Sequence, residues 1–168
     1  MMDETVMRYA STSVLCWLAT VDPDGWPNVS PKEIFYTYDA RTLLIANIAS
    51  PGSRANIRRH PEVCVSFVDI FIQKGFKLKG IATVVESTDA AFALYAEPLR
   101  AMAGEQFPFT SLFAVNVRAI EPLIAPTYRL FPDAPEPAQV QSAMRAYGVL
   151  PAAPGTSSTH SPGALPDS

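Results

Sequence analysis

Leu18-Ala19-Thr20-Val21-Asp22-Pro23-Asp24-Gly25 is the stretch on which the reading of this chain turns. Residues 14–21 form an apolar, strand-like run, and Asp22-Pro23-Asp24-Gly25 supplies turn residues in an order that closes a hairpin. The next strand is expected over residues 28–38. Pro27 and Pro31 cannot donate ladder hydrogen bonds, so its first half belongs at a sheet edge or a bulge. After a turn at residues 39–42, the continuous apolar run 43–48 reads as a third strand.

Farther along, small turn and cap residues open the segment 49–61, which ends at Pro61 and predicts a short helix. Strand character returns at 62–69. Over 76–86, Phe76, Leu78, Gly80, Ala82 and Val84 alternate with Lys77, Lys79, Ile81, Thr83 and Val85, so one side faces the core and the other carries two lysines. A helix is expected over 88–103, capped by Thr88, and a last strand over 112–120. Upstream, residues 3–10 place Asp3 and Glu4 before Arg8, the charge order that suits a helix dipole.

Short turns between strands, without regular alternation of strand and helix, predict a mainly β fold. The expected architecture is a six-stranded antiparallel split β-barrel with short flanking helices, since closure removes exposed edges.

With 168 residues, 48% of them hydrophobic, the chain suits one globular domain over 1–131. A helical extension over 132–150 and a Pro/Ser-rich tail over 151–168 follow, the tail having the composition of a disordered segment. The net charge of −3 gives no basic face for nucleic acid. The run at 14–21 is far shorter than the ~20 residues that span a bilayer and lacks the flanks of a signal peptide. No membrane partner and a cytoplasmic location are therefore expected. Cys16 and Cys64 sit in apolar runs and read as inert thiols. His60 and His160 are the two histidines, which supports neither a histidine metal site nor a Ser-His-Asp triad; His60 reads as a helix C-terminal residue.

Three segments hold candidate site residues, each with two readings. At the helix after the third strand, Ser53, Arg54 and Asn56 suit a phosphate group, or belong to an ordinary capped helix with solvated arginines. Lys79 and Gly80 place a positive charge beside bare backbone, or form a solvent-facing lysine next to a glycine bulge. Ser30-Pro31-Lys32-Glu33 offers unpaired backbone groups to the polar edge of a ring, or is a plain edge strand.

In this order the segments resemble the FMN-binding split-barrel family typified by pyridoxamine 5'-phosphate oxidase. The resemblance covers roughly residues 5 to 131. It is carried by the hairpin at 18–25, by Asn28-Val29-Ser30-Pro31-Lys32-Glu33, by the Ser53-Arg54 helix start, by His60-Pro61-Glu62-Val63-Cys64-Val65-Ser66-Phe67 and by Leu78-Lys79-Gly80-Ile81-Ala82. It implies FMN as cofactor, with Ser53 and Arg54 on its phosphate. Ser30, Pro31, Lys32 and Glu33 would line the isoalloxazine ring, Lys79 and Gly80 would close the site, and Ala46, Asn47 and Asn56 complete the set.

The resemblance also implies a homodimer with shared flavin sites, and flavin-dependent oxidoreduction of a small molecule with NAD(P)H as candidate donor. A non-catalytic flavin-binding or sensing module, or the same fold carrying F420 or haem, are the alternatives. Two departures stand out. The residue after the arginine is commonly basic in the oxidase and is Ala55 here, with Arg58 as a partial replacement. The C-terminus lacks the oxidase's substrate-holding arginine and histidine, so pyridoxamine phosphate is not the expected substrate.

Overall fold

The computed structural model describes residues 1–133 and 135–151. Helix α1 (Glu4–Thr12) starts where Asp3 Oδ1 accepts the Val6 N–H at 2.9 Å, and it buries Val6 and Ala10. Asp3→Ala should lower stability by about 0.5–2 kcal/mol, the usual worth of an N-cap, measurable by thermal unfolding.

Strands β1 (Cys16–Val21) and β2 (Pro27–Lys32) form the expected hairpin. Asp22 Oδ1 accepts the N–H groups of Asp24 and Trp26, and Gly25 takes the positive φ of 88° that the turn demands. Then come β3 (Phe35–Thr37), β4 (Thr42–Ala46), α2 (Pro51–Arg59), β5 (Glu62–Asp69), β6 (Lys74–Glu86), α3 (Phe92–Ala103), β7 (Ser111–Ile124), α4 (Pro126–Leu130) and α5 (Glu136–Tyr147). All strands join one antiparallel sheet in the order β2-β1-β5-β6-β7-β4-β3.

The sheet is a curled half-barrel of seven strands rather than six. The difference lies in the segment expected as one strand over 28–38, which serves two neighbours. Lys32 is the last residue paired with β1, and Phe35 pairs with Ile45 of β4. Glu33 and Ile34 carry the chain across, with the Ile34 carbonyl accepting the Ala46 N–H at 3.0 Å. The two edges of the sheet, β2 and β3, are therefore neighbours in sequence.

The inner face buries Leu18, Leu43, Ile45, Val65, Phe67, Leu78, Phe113 and Val115 under α1 and α2. A second cluster, including Leu44, Val85, Phe92, Leu99 and Leu112, lies under α3. Both clusters draw on β6 near its end, where Val84 packs on the first and Val85 belongs to the second. Helix α3 begins at Phe92, not Thr88. Asp89 Oδ2 accepts the Glu86 N–H at 2.7 Å, and that turn precedes the helix. Strand β7 runs four residues past the expected end because β6 pairs with it as far as Ile124.

Helix α4 was not anticipated. Tyr128 Oη donates to the Ile72 carbonyl at 2.8 Å and ties α4 to the β5–β6 turn, where Lys74 also pairs with Glu136 of α5 at 2.7 Å. Apart from Pro151, the expected tail lies outside the described residues. Among those residues, no helix is long and apolar enough to cross a membrane.

Candidate cofactor site

The inner face of β2 and the start of α2 meet through polar side chains rather than apolar ones. Asn28, Ser30 and Lys32 alternate onto the face shared with Thr20, Leu18 and Cys16, their cross-strand partners. Opposite them, Ser50, Ser53 and Asn56 recur every three residues along the helix and just before it. Lys32 Nζ donates to Ser50 Oγ at 2.5 Å, and Ser30 Oγ lies 3.1 Å from Ser53 Oγ. Asn28 and Asn56 both donate to Thr20 Oγ1, at 3.2 and 3.0 Å. A strand period of two and a helix period of three thus interlock as one polar seam.

Lys32 is the exceptional member. It is 6% exposed, and among the described residues no carboxylate pairs with it; its charged end meets a hydroxyl. Burial pushes its pKa below the ordinary lysine value, opposed only weakly by nearby Cys16. Cys16 itself is pushed upward by burial, as expected of an inert thiol, whereas Cys64 is only half-buried.

Helix α2 begins without a side-chain cap. Ser50 occupies the N-cap position, but its hydroxyl donates to the Ile48 carbonyl at 3.1 Å, and Pro51 brings no N–H. Arg54 points to the end of β6, where Nε and Nη2 donate to Glu86 Oε1 at 3.0 and 2.7 Å. Arg58 Nη2 reaches the same oxygen at 2.6 Å. His60 is the C-cap residue of this helix, as read from the sequence.

Between the ends of β2 and β4 lies a cleft of about 230 Å³ lined by Pro31, Lys32, Glu33, Ile34, Ala46, Ile48 and Phe107. Next to Ala46, Asn47 donates to Ser111 Oγ at 2.9 Å, and its buried Oδ1 finds no partner among the described residues. A larger cleft of about 580 Å³ includes Glu33, Phe35, Tyr36, Thr37, Val14 and Met102 in its lining, so Glu33 borders both.

The structure thus gathers Ser30, Pro31, Lys32, Glu33, Ala46 and Ser53 at one end of the sheet, with Arg54 close by on α2. Asn56 is buried and committed to Thr20. Lys79 and Gly80 line a different, shallow cleft with Ala19, Val21, Cys64 and Arg118. There Lys79 is exposed and pairs with Glu121 at 2.6 Å, and Lys77 pairs with the same carboxylate at 2.8 Å. These hydrogen bonds hold the Glu121 carboxyl down to about 2 and push Lys79 upward.

Gly80 has a structural explanation: an added Cβ would lie 2.5 Å from the Asn116 carbonyl oxygen, at a bulge where β6 and β7 shift register. Close approach of β7 accounts for the glycine. Ser50, Ile48 and Phe107 were missed by the sequence reading. The alternation Asn28, Ser30, Lys32 was a usable signal for Ser50, because a polar inner strand face needs polar partners.

The curled sheet, split between β2 and β3, defines a half-barrel of the split-barrel class. Residues 2–126 match the family described as pyridoxamine 5'-phosphate oxidase, and the chain belongs to that family. No curated protein matches the sequence.

Among solved structures, HupZ of group A Streptococcus is 21% identical with a TM-score of 0.62, over 71% of this chain and 92% of HupZ. An FMN-binding protein of Syntrophomonas wolfei is 14% identical with a TM-score of 0.61, over 74% and 90%. An F420 reductase is 20% identical with a TM-score of 0.52, over 71% and 98%. At these identities the likeness establishes the fold.

Proposed function

We propose that the chain binds FMN in the cleft between the ends of β2 and β4 and acts as a flavin-dependent oxidoreductase on a small molecule. The observation that carries this reading is Lys32, a buried ammonium with no carboxylate partner among the described residues. Burying an unpaired charge is costly, and a fold keeps one where an electron-rich ligand supplies the missing partner. Three further features suit the same ligand: the unpartnered Asn47 Oδ1, the uncapped start of α2, and the edge of β2 that no strand covers. The FMN-binding relative from Syntrophomonas wolfei favours the same cofactor.

Ser53 and Arg54 would hold the phosphate at the helix start, where free N–H groups and the helix dipole favour an anion. Pro31, Lys32, Glu33, Ala46 and Asn47 would border the ring system. Bound FMN supplies hydride or single-electron transfer. Lys32 contributes a fixed positive charge in a poorly solvated place, where it acts more strongly than it would in water. Lys79, already paired with Glu121, has no such surplus. The larger cleft across Glu33 is the place for the substrate, and NAD(P)H is the proposed electron donor.

The cleft in one chain, about 230 Å³, falls below the roughly 300–1,000 Å³ of sites that enclose drug-sized ligands. A second copy of the chain would complete it. The outer face of β1 and β2 suits such a partner, because Trp17 opposite Pro31, Ala19 opposite Val29, and Val21 opposite Pro27 form an apolar band with Trp17 and Val29 well exposed.

Calorimetry with FMN and riboflavin tests the proposal. FMN should bind at least tenfold more tightly, and Arg54→Ala should remove about 1.5–3 kcal/mol of that preference, the worth of a charge-assisted hydrogen bond. Equal affinity for the two flavins would count against the phosphate site. The F420 reductase likeness supports a second reading, deazaflavin F420 in the same cleft, which the absorbance spectrum of the reconstituted protein distinguishes. Reduction of the bound flavin by NADPH or NADH separates an enzyme from a non-catalytic flavin carrier.

A further inference from the structure

We infer that the larger cleft across Glu33 selects an organic cation, an amine or amidine on an apolar body that carries no phosphate or carboxylate. This rests on the reading above, in which that cleft takes the substrate beside FMN, and adds the chemical class of the substrate. The cleft, about 580 Å³, falls within the roughly 300–1,000 Å³ of sites that enclose drug-sized ligands. Among the described residues that line it there is no lysine, arginine or histidine, and Glu33 is its one charge.

The backbone fixes where Glu33 stands. Lys32 ends the pairing with β1 and the Ile34 carbonyl accepts the Ala46 N–H, so Glu33 sits where the chain crosses between strands, at the border of both clefts. Glu86 and Glu121 each hold two cations. Glu33 pairs with none among the described residues, and its charge is left for a ligand.

A second part of the lining is the C-terminal end of α1, and it adds acceptors. Ser11 Oγ and Thr12 Oγ1 donate to the Arg8 carbonyl, each at 3.0 Å, and Ser13 Oγ donates to the Tyr9 carbonyl at 2.8 Å. A hydroxyl has one proton, so what these three have left to offer a ligand is lone pairs. The carbonyls that follow Tyr9 have no partner within the helix, and the last turn carries no basic residue to offset the negative end of the dipole. Arg8, the one cation on α1, lies over the Tyr9 ring, 5.1 Å from its centroid. Val14, Tyr36 and Met102 supply apolar surface, and an aromatic ring face attracts a cation as well. An anion placed here meets a carboxylate and a helix C-terminus, whereas an ammonium or amidinium meets acceptors.

Calorimetry with benzamidine, neutral benzamide and benzoate, three ligands of nearly one shape, tests this on the protein as isolated and on protein saturated with FMN. Benzamidine should bind about tenfold more tightly than benzamide, a modest charge-assisted contact. Benzoate should bind more weakly than either, and the preference should narrow with added salt. Glu33→Gln should abolish the preference for benzamidine. Thr12→Lys, at an exposed position where a cation suits the helix C-terminus, should shift it toward benzoate, with thermal unfolding to verify each fold.

Benzamide or benzoate binding as tightly as benzamidine, or a preference that survives Glu33→Gln in folded protein, would overturn the inference. If Glu33→Gln does not fold, Thr12→Lys decides alone, and an unchanged preference there overturns it as well. A benzamidine preference in protein that takes up no FMN would leave the cation site standing and overturn the FMN reading instead.

Discussion

Lys32→Met should make the protein more stable and a worse ligand binder at once. The wild-type ammonium is buried against a hydroxyl, and among the described residues no carboxylate repays its lost hydration. A thioether of similar length fills the space without that penalty. The expected gain is about 1–2 kcal/mol, or roughly 2–8 °C in Tm for a chain of this size. Flavin affinity should fall by roughly 10–100-fold, the worth of a charge-assisted contact.

The gain should also depend on pH. Because the folded-state pKa of Lys32 lies below its unfolded value, the folded protein binds fewer protons in the window between the two, and wild-type stability rises with pH there. The burial penalty is fully present below the lowered pKa and is relieved as pH climbs toward the ordinary lysine value near 10.4. The advantage of Lys32→Met should therefore shrink over that window. A variant that is less stable than wild type at pH 7, or that binds FMN as well, would contradict this account of Lys32.

Gly80→Ala should destabilise the fold without touching the cleft between β2 and β4. The new methyl would meet the Asn116 carbonyl oxygen at 2.5 Å and Val115 Cγ1 at 2.9 Å, so β6 and β7 would have to part along the longest pairing in the sheet. Overpacking of this kind costs about 1–3 kcal/mol, which lowers Tm by roughly 2–12 °C. Flavin affinity of the folded fraction should match wild type. Loss of affinity with an unchanged Tm would instead assign Gly80 to ligand binding.

The β architecture was legible wherever a strand has one buried face. Residues 62–69 gave the bounds of β5, and the order Asp22-Pro23-Asp24-Gly25 gave the hairpin. The division of β2 from β3 was not legible, because nothing local distinguishes a strand that keeps one neighbour from a strand that changes neighbours at Glu33. The start of α3 was misplaced because Thr88 has the chemistry of a cap, whereas the turn is built by Asp89.

At the site, residue types pointed to Lys32, Ser53 and Arg54, but not to what each one faces. Residue type offered Ser53 and Asn56 as donors without showing that Ser53 stands beside Ser30 of β2 and that Asn56 donates to Thr20. The partnership of Arg54 and Arg58 with Glu86 spans 28 to 32 residues, a separation that spacing along one helix cannot reveal.

The sheet leaves two strand borders unpaired, and each is poorly suited to recruit a stranger. Two of the six residues of β2 are prolines, Pro27 and Pro31, so a new strand aligned along it would find gaps in the row of donors. Strand β3 spans three residues, too few to template a ladder. Self-assembly by adding strands edge to edge into fibrils is thereby discouraged on both sides. The surface left open to contact is the broad outer face, where Trp17 and Val29 stand exposed, rather than a strand border along which copies could add without end.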